Sequence, residues 1–216
     1  MASGGKTTSL NKLSAQTSSF KVAVVGAPRV GKTTLARRAV GDSSTLSGGG
    51  GGGGGEYVAT GTWELFHKQV QLQETQERAE LQLFAFGGRE RMRPLIIQEY
   101  CDADAFLLVY DVTDESSFRE LRYWHNEVRR LAPDVLAILV GNKVDLADQQ
   151  KIAEEDGQKQ ATRWAMQHVS TSAATGRGIP GLMAKIVSAM SGVTTAVSGL
   201  AETPGMPAAP SVSTAS

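Results

Sequence analysis

The sequence predicts an α/β protein: a mostly parallel sheet of six strands, with helices on both faces and one antiparallel edge strand. Three observations lead there. Short, nearly continuous runs of valine, leucine and isoleucine recur along the chain, as strands buried on both faces require. Stretches with apolar residues at helical spacing separate them. Two alternating segments, 64–72 and 80–86, flank a polar turn at 73–79 and supply the antiparallel exception.

Residues 20–25 (FKVAVV) make the first strand and 32–40 the helix after it. Residues 105–111 (AFLLVYD) are wholly apolar up to the closing aspartate and read as a buried strand. The helix expected over 116–131 aligns Phe118, Leu121, Trp124, Val128 and Leu131 on one face, and Pro133 blocks its extension. Residues 135–140 (VLAILV) form the next strand. A helix over 154–167 opens on Glu154-Glu155-Asp156, charges that suit a helix N-terminus. A short strand at 168–171 follows. The last helix places Ile179, Leu182, Met183, Ile186, Val187 and Met190 at helical spacing.

Soft segments surround this domain, which spans 20–191. Residues 1–19 are rich in serine and threonine with only Lys6 and Lys12 charged, and 192–216 carry one charge, Glu202; both are expected to be disordered tails. The unbroken glycines Gly48 to Gly55 lie in an insertion, 47–55, that holds no fixed fold of its own.

Twenty-two basic residues balance twenty-two acidic ones, so no bulk positive field directs the chain to nucleic acid or an anionic membrane. The single cysteine, Cys101, has no internal disulfide partner, and no Cys/His cluster has zinc-ligand spacing. A reducing, cytoplasmic setting is expected. The three histidines, His67, His125 and His168, have no paired nucleophile and read as surface or packing residues.

In such sheets ligands bind beyond the carboxyl ends of the strands. Directly after the first strand stands Gly26-Ala27-Pro28-Arg29-Val30-Gly31-Lys32-Thr33, a match to G-x-x-x-x-G-K-[ST]. Its glycines let backbone N–H groups turn inward, and the next helix aims its positive end at the same point. Lys32 supplies a full charge for β- and γ-phosphate oxygens, and the Thr33 hydroxyl suits Mg²⁺. Gly4-Gly5-Lys6-Thr7 is a decoy, with no strand before it and the wrong spacing.

Asn142-Lys143-Val144-Asp145 follows the fifth strand. Alone, the tetrapeptide also reads as a capped loop. With the phosphate loop ahead of it, the chain resembles the Ras-like small GTPases, and within them the Rab-like branch. The resemblance covers about residues 20–190, including 107–118 (LLVYDVTDESSF). It implies a Ras-like G domain of the P-loop NTPase class that takes GTP or GDP with Mg²⁺. It also implies that Asp145 accepts hydrogen bonds from the guanine ring N–H and amine. Adenine lacks that donor pair and leaves a desolvated carboxylate unpaired. Lys143 is expected over the base, and Asn142 to tie the base loop to the phosphate loop.

Thr171-Ser172-Ala173-Ala174-Thr175-Gly176 resembles the family's T-S-A-K-T-G segment, whose alanine N–H meets the guanine oxygen. Ala174 stands where that segment has lysine. The nucleotide-binding set implied is therefore Gly26, Arg29, Val30, Gly31, Lys32, Thr33 and Thr34 from the phosphate loop. Asn142, Lys143, Asp145, Ser172, Ala173 and Ala174 complete it on the base side.

The switch motifs depart from the family. The D-x-x-G-Q motif aligns with Ala85-Phe86-Gly87-Gly88-Arg89. Gly88 keeps a backbone N–H for the γ-phosphate, but Ala85 replaces the aspartate that helps hold Mg²⁺. Arg89 replaces the glutamine that positions the attacking water, and a guanidinium has only donors. The alternative role for Arg89 is an internal arginine finger, so Lys32 and Arg89 are the catalytic candidates. Thr60 or Thr62 suits the first switch; Thr60 is preferred. Weak GTPase activity is expected.

The chain ends on SVSTAS without a prenylation cysteine and starts Met1-Ala2, so no direct lipid anchor is expected. With Pro28 in the phosphate loop and a polar turn between two long strands, it looks most like the Rab-like GTPase subunit of intraflagellar transport complex B. A divergent Rab-like protein outside that group is the other reading. The first implies a ciliary location and a small β-sandwich partner; both allow protein effectors.

Overall fold

A computed structural model describes residues 18–42, 63–72, 78–87 and 102–199. The chain runs β1 (Ser18–Gly26), α1 (Lys32–Val40), β2 (Trp63–Gln71), β3 (Arg78–Phe86) and β4 (Ala105–Asp111). It continues through α2 (Glu115–Leu131), β5 (Leu136–Asn142), a 3₁₀ turn (Ala147–Gln149), α3 (Glu154–Arg163), β6 (Gln167–Ser170) and α4 (Ile179–Gly199). The six strands form one sheet in the order β2-β3-β1-β4-β5-β6. Every pairing is parallel except β2 with β3, and β2 lies at the edge. The α/β expectation is met in strand number and in the antiparallel edge.

Each face of the sheet carries its own core. On one, α1 and α4 bring Leu35, Ala36, Leu182, Ile186 and Met190 against Val22, Val24, Leu83 and Ile138. On the other, α2 and α3 bring Leu121, Trp124, Val128 and Ala161 against Ala23, Val25, Phe106 and Leu139. The alternation of β1 explains this: successive residues face opposite layers, and both layers are apolar. Among the described residues no helix is long and apolar enough to cross a membrane.

Local chemistry sets the boundaries. Asp114 caps α2, its carboxylate accepting from the Ser116 N–H at 2.9 Å. Gly41 closes α1 in the left-handed region and returns its N–H to the carbonyls of Arg37 and Arg38. Two expectations are corrected. The helix expected to reach 167 stops at Arg163, because Ala165 turns into the left-handed region (φ 53°) and Gln167 is already in β6. The last helix does not stop near 191 but continues to Gly199, into what the composition marked as a tail. The N-terminal tail to residue 17, the glycine run, the 73–77 turn, Cys101 and residues 200–216 lie outside the described residues.

Candidate functional site

The strand order reverses around β1, which lies between β3 and β4, and the Gly26–Thr33 loop leaves its carboxyl end. Gly26 pairs with Val109 of β4 at φ 144°, and any Cβ there would collide with the Val109 carbonyl oxygen. A side chain would therefore push the two strands apart where the loop begins. Gly31, at φ 92°, is the residue that opens α1. A Cβ on it would stand against the Asn142 amide nitrogen, so its bareness is what lets Asn142 through.

Within this loop the Lys32 ammonium donates to the carbonyls of Gly26 (3.0 Å) and Ala27 (2.6 Å) and is 6% exposed. Burial pushes its pKa down to about 7, partly offset by the Glu120 carboxylate. A cation held this way regains its charge fully only beside an anion. The half-buried Thr33 and exposed Thr34 sit in the first turn of α1, whose leading N–H groups have no intrahelical acceptors. Arg29 is exposed and adopts φ 65°. The non-glycine residues with positive φ among those described are Arg29, Lys143 and Ala165, and the first two lie in these loops, where strain is commonly stored.

Asn142 closes β5 and is 1% exposed. Its amide donates to the Val30 carbonyl across the chain (2.8 Å). Its oxygen accepts from the Ala173 N–H (3.0 Å) and the Thr171 hydroxyl (3.3 Å). One side chain thus joins the phosphate loop, β5 and the segment after β6. The Ala173 N–H, expected to meet a guanine oxygen, points at Asn142 and reaches a second acceptor only through a shared bond. Ser172 is fully buried and its hydroxyl accepts from the Thr175 N–H at 3.0 Å, which tightens the turn. Asp145 is exposed and has no hydrogen-bond or ion-pair partner among the described residues. Its carboxylate is free for an incoming donor pair.

Two residues escaped sequence reasoning. Lys143 pairs its ammonium with Asp111 at 2.5 Å, and the Asp111 side chain also accepts from the Thr113 N–H and hydroxyl. Asp111 is 6% exposed and stands opposite Asn142 in the β4–β5 register. That level placement at the carboxyl edge was the available signal. Arg38 of α1 donates to the Ala174 carbonyl at 2.8 Å, so a guanidinium from the phosphate-loop helix reaches the segment that lacks its lysine. No local pattern announces a contact across so much chain.

On the metal side, Ala85 of β3 is fully buried in the α1–α4 core, a methyl where the motif has a carboxylate. No group of three or more His, Cys, Asp or Glu side chains suited to a metal ion exists among the described residues. Thr60, Thr62, Gly88 and Arg89 lie outside those residues. The histidines have the surface and packing roles expected: His67 contacts Glu80 at 3.1 Å, His168 the Tyr110 hydroxyl at 3.1 Å, and His125 stacks on Trp164. Compared with known families, the chain matches the profile described as the Ras family over residues 21–192.

Proposed function

The chain belongs to the Ras family, and from that premise we propose that it is a Rab-like guanine-nucleotide-binding protein whose GTP hydrolysis is slow or impaired. The observation that carries this reading is the pairing of an intact, Asn142-braced phosphate loop with a buried methyl at Ala85. The backbone of Gly26–Thr33, the α1 N-terminus and Lys32 hold the β- and γ-phosphates. Asp145 accepts from the guanine ring N–H and exocyclic amine. Lys143, its ammonium anchored on Asp111, offers its methylene stem to the face of the base.

Mg²⁺ fits the donor set in part: Thr33 would hold it, with Thr60 the candidate from the first switch, and the ion when bound would neutralise charge on the phosphate oxygens. Ala85 cannot orient its water, so metal affinity should be weak. Arg89, having donors only, cannot accept a hydrogen bond from an attacking water. Ras-type intrinsic turnover is about 10⁻⁴ s⁻¹ with the glutamine present. A single-turnover assay on the Mg²⁺·GTP complex should therefore fall below that rate, and a faster one overturns the proposal. As a companion test, Ala85→Asp should make stability Mg²⁺-dependent: a carboxylate at this fully buried position destabilises the protein in chelator. Mg²⁺·GDP should restore it.

Ala85 also favours a second reading, a nucleotide-stabilised subunit of a transport complex that does not switch. A switch needs differential affinity for its partner in the two nucleotide states. Equal partner affinity in GTP- and GDP-loaded protein selects the non-switching subunit. On either reading we place the protein in intracellular or intraflagellar transport, on the strength of Pro28, Arg89 and the long β2–β3 hairpin. Its partner there would be a protein effector or a small β-sandwich subunit. Co-purification of ciliary-train components from cells tests this, and their absence from the captured material counts against it.

A further inference from the structure

The outer face of α2 and α3 carries a groove that the nucleotide site does not use. Two adjoining cavities of about 320 and 530 Å³ lie along it and share Phe118, Gln160 and Arg163. Half-buried Phe118 and Trp164 floor it, the latter stacked on His125 with ring centroids 4.3 Å apart. The His125 Nδ1 is buried there without a hydrogen-bond partner.

Charge distinguishes this groove from an ordinary crevice between helices. Lys151, Lys159, Arg119, Arg122 and Arg163 line it against only Glu115 and Asp156, although the whole chain is neutral. Asp156 is already paired with Lys159 at 3.6 Å. Arg119, Arg122 and Arg163 are exposed and make no ion pair or hydrogen bond within the described residues. Arg119 and Arg122 are one turn apart on α2, so they share a face, and Arg163 meets them from the end of α3.

We propose that this groove docks an acidic segment of a partner protein, its carboxylates on Arg119, Arg122 and Arg163 and an apolar side chain on Phe118 and Trp164. Planar guanidinium forks match carboxylates in bidentate geometry. From Glu115 to Asn126 the groove follows about 17 Å of helix, the length of about five extended residues. That elongated shape with an aromatic floor suits a peptide rather than a compact phosphate. The chain's own termini do not fit the part, since residues 1–17 have no acid and 200–216 only Glu202.

The test uses the full chain loaded with GDP and a fluorescein-labelled peptide alternating glutamate with leucine, read by anisotropy. Binding should weaken with salt and fall at least about tenfold, or 1.4 kcal/mol, in Arg122→Glu/Arg163→Glu. GDP retention and thermal unfolding should stay unchanged, because neither arginine makes an ion pair or hydrogen bond among the described residues. A peptide with lysine in place of glutamate should bind the reversed variant better than the parent. Equal binding of a glutamine version, or no effect of the reversals, overturns the proposal. So does tighter binding of a phosphoserine peptide, or binding to phosphatidylserine vesicles alone.

Discussion

Replacing Asn142 with alanine removes three hydrogen bonds and leaves the Val30 carbonyl and the Ala173 N–H without partners. Those residues are 1% and 4% exposed, so water does not readily take the amide's place. Each orphaned group costs roughly 1–3 kcal/mol, and partial relaxation brings the sum to about 3 kcal/mol. For a domain of this size that lowers the melting temperature by roughly 6–12 °C. The same bonds hold phosphate loop and base loop in register, so GDP should dissociate up to about a hundredfold faster. Thermal scans and stopped-flow release of a fluorescent GDP read the two effects. Asn142→Asp sharpens the test, because it keeps the acceptor for Ala173 but sets an oxygen against the Val30 carbonyl. Its protonated form can donate where the amide did, so that variant should regain stability as pH falls and lose it as pH rises. A melting shift below about 2 °C together with unchanged GDP release would refute the bracing role.

Other expectations concern pH and packing. Lys32, with its pKa near 7, is mostly neutral at pH 8, and a bound phosphate raises that pKa. Calorimetry at pH 8 in buffers of different ionisation enthalpy should find about 0.9 proton taken up per GDP. The lysine's contribution to affinity should be constant below pH 7 and decline above it; no proton uptake contradicts this. Gly157→Ala gains about 1 kcal/mol in an open helix, but here a Cβ would lie 2.6 Å from the His168 Nε2 and closer still to the Tyr110 hydroxyl. Overpacking of that kind costs roughly 1–3 kcal/mol, so urea unfolding should show a less stable variant. A more stable one would show that the Tyr110–His168 pair gives way freely.

Much of this architecture was legible because periodicity and burial agree. Residues 105–110 are apolar on both faces, and β4, which runs on to Asp111, has every residue buried. The 3.6-residue stripe of Leu121, Trp124 and Val128 returns as the buried side of α2. Where propensity and tertiary geometry diverge, pattern fails. Trp164 and Met166 continue a plausible helix, yet the backbone reverses at Ala165 to start β6. Residues 192–199 look like a tail by composition but extend a helix already nucleated and packed.

The site divides the same way. Glycine at 26 and 31 answers a local demand, a backbone that must approach another, and such demands are written in sequence. The Lys143–Asp111 and Arg38–Ala174 contacts depend on which strands and helices become neighbours, and no spacing rule reaches that far. In sequence Asp111 is only the residue that closes a buried strand; its partner comes from the next strand in the sheet.

In the proposed function Asp145 selects a guanine base above a loop that grips its phosphates. Isothermal titration of nucleotide-stripped protein with GDP and ADP in parallel tests it most directly. GDP should bind at least about 10³-fold tighter than ADP, because a carboxylate placed for two donors rejects a base lacking them. Asp145→Asn should collapse that ratio. Equal affinity for the two nucleotides, or no heat with either, contradicts it.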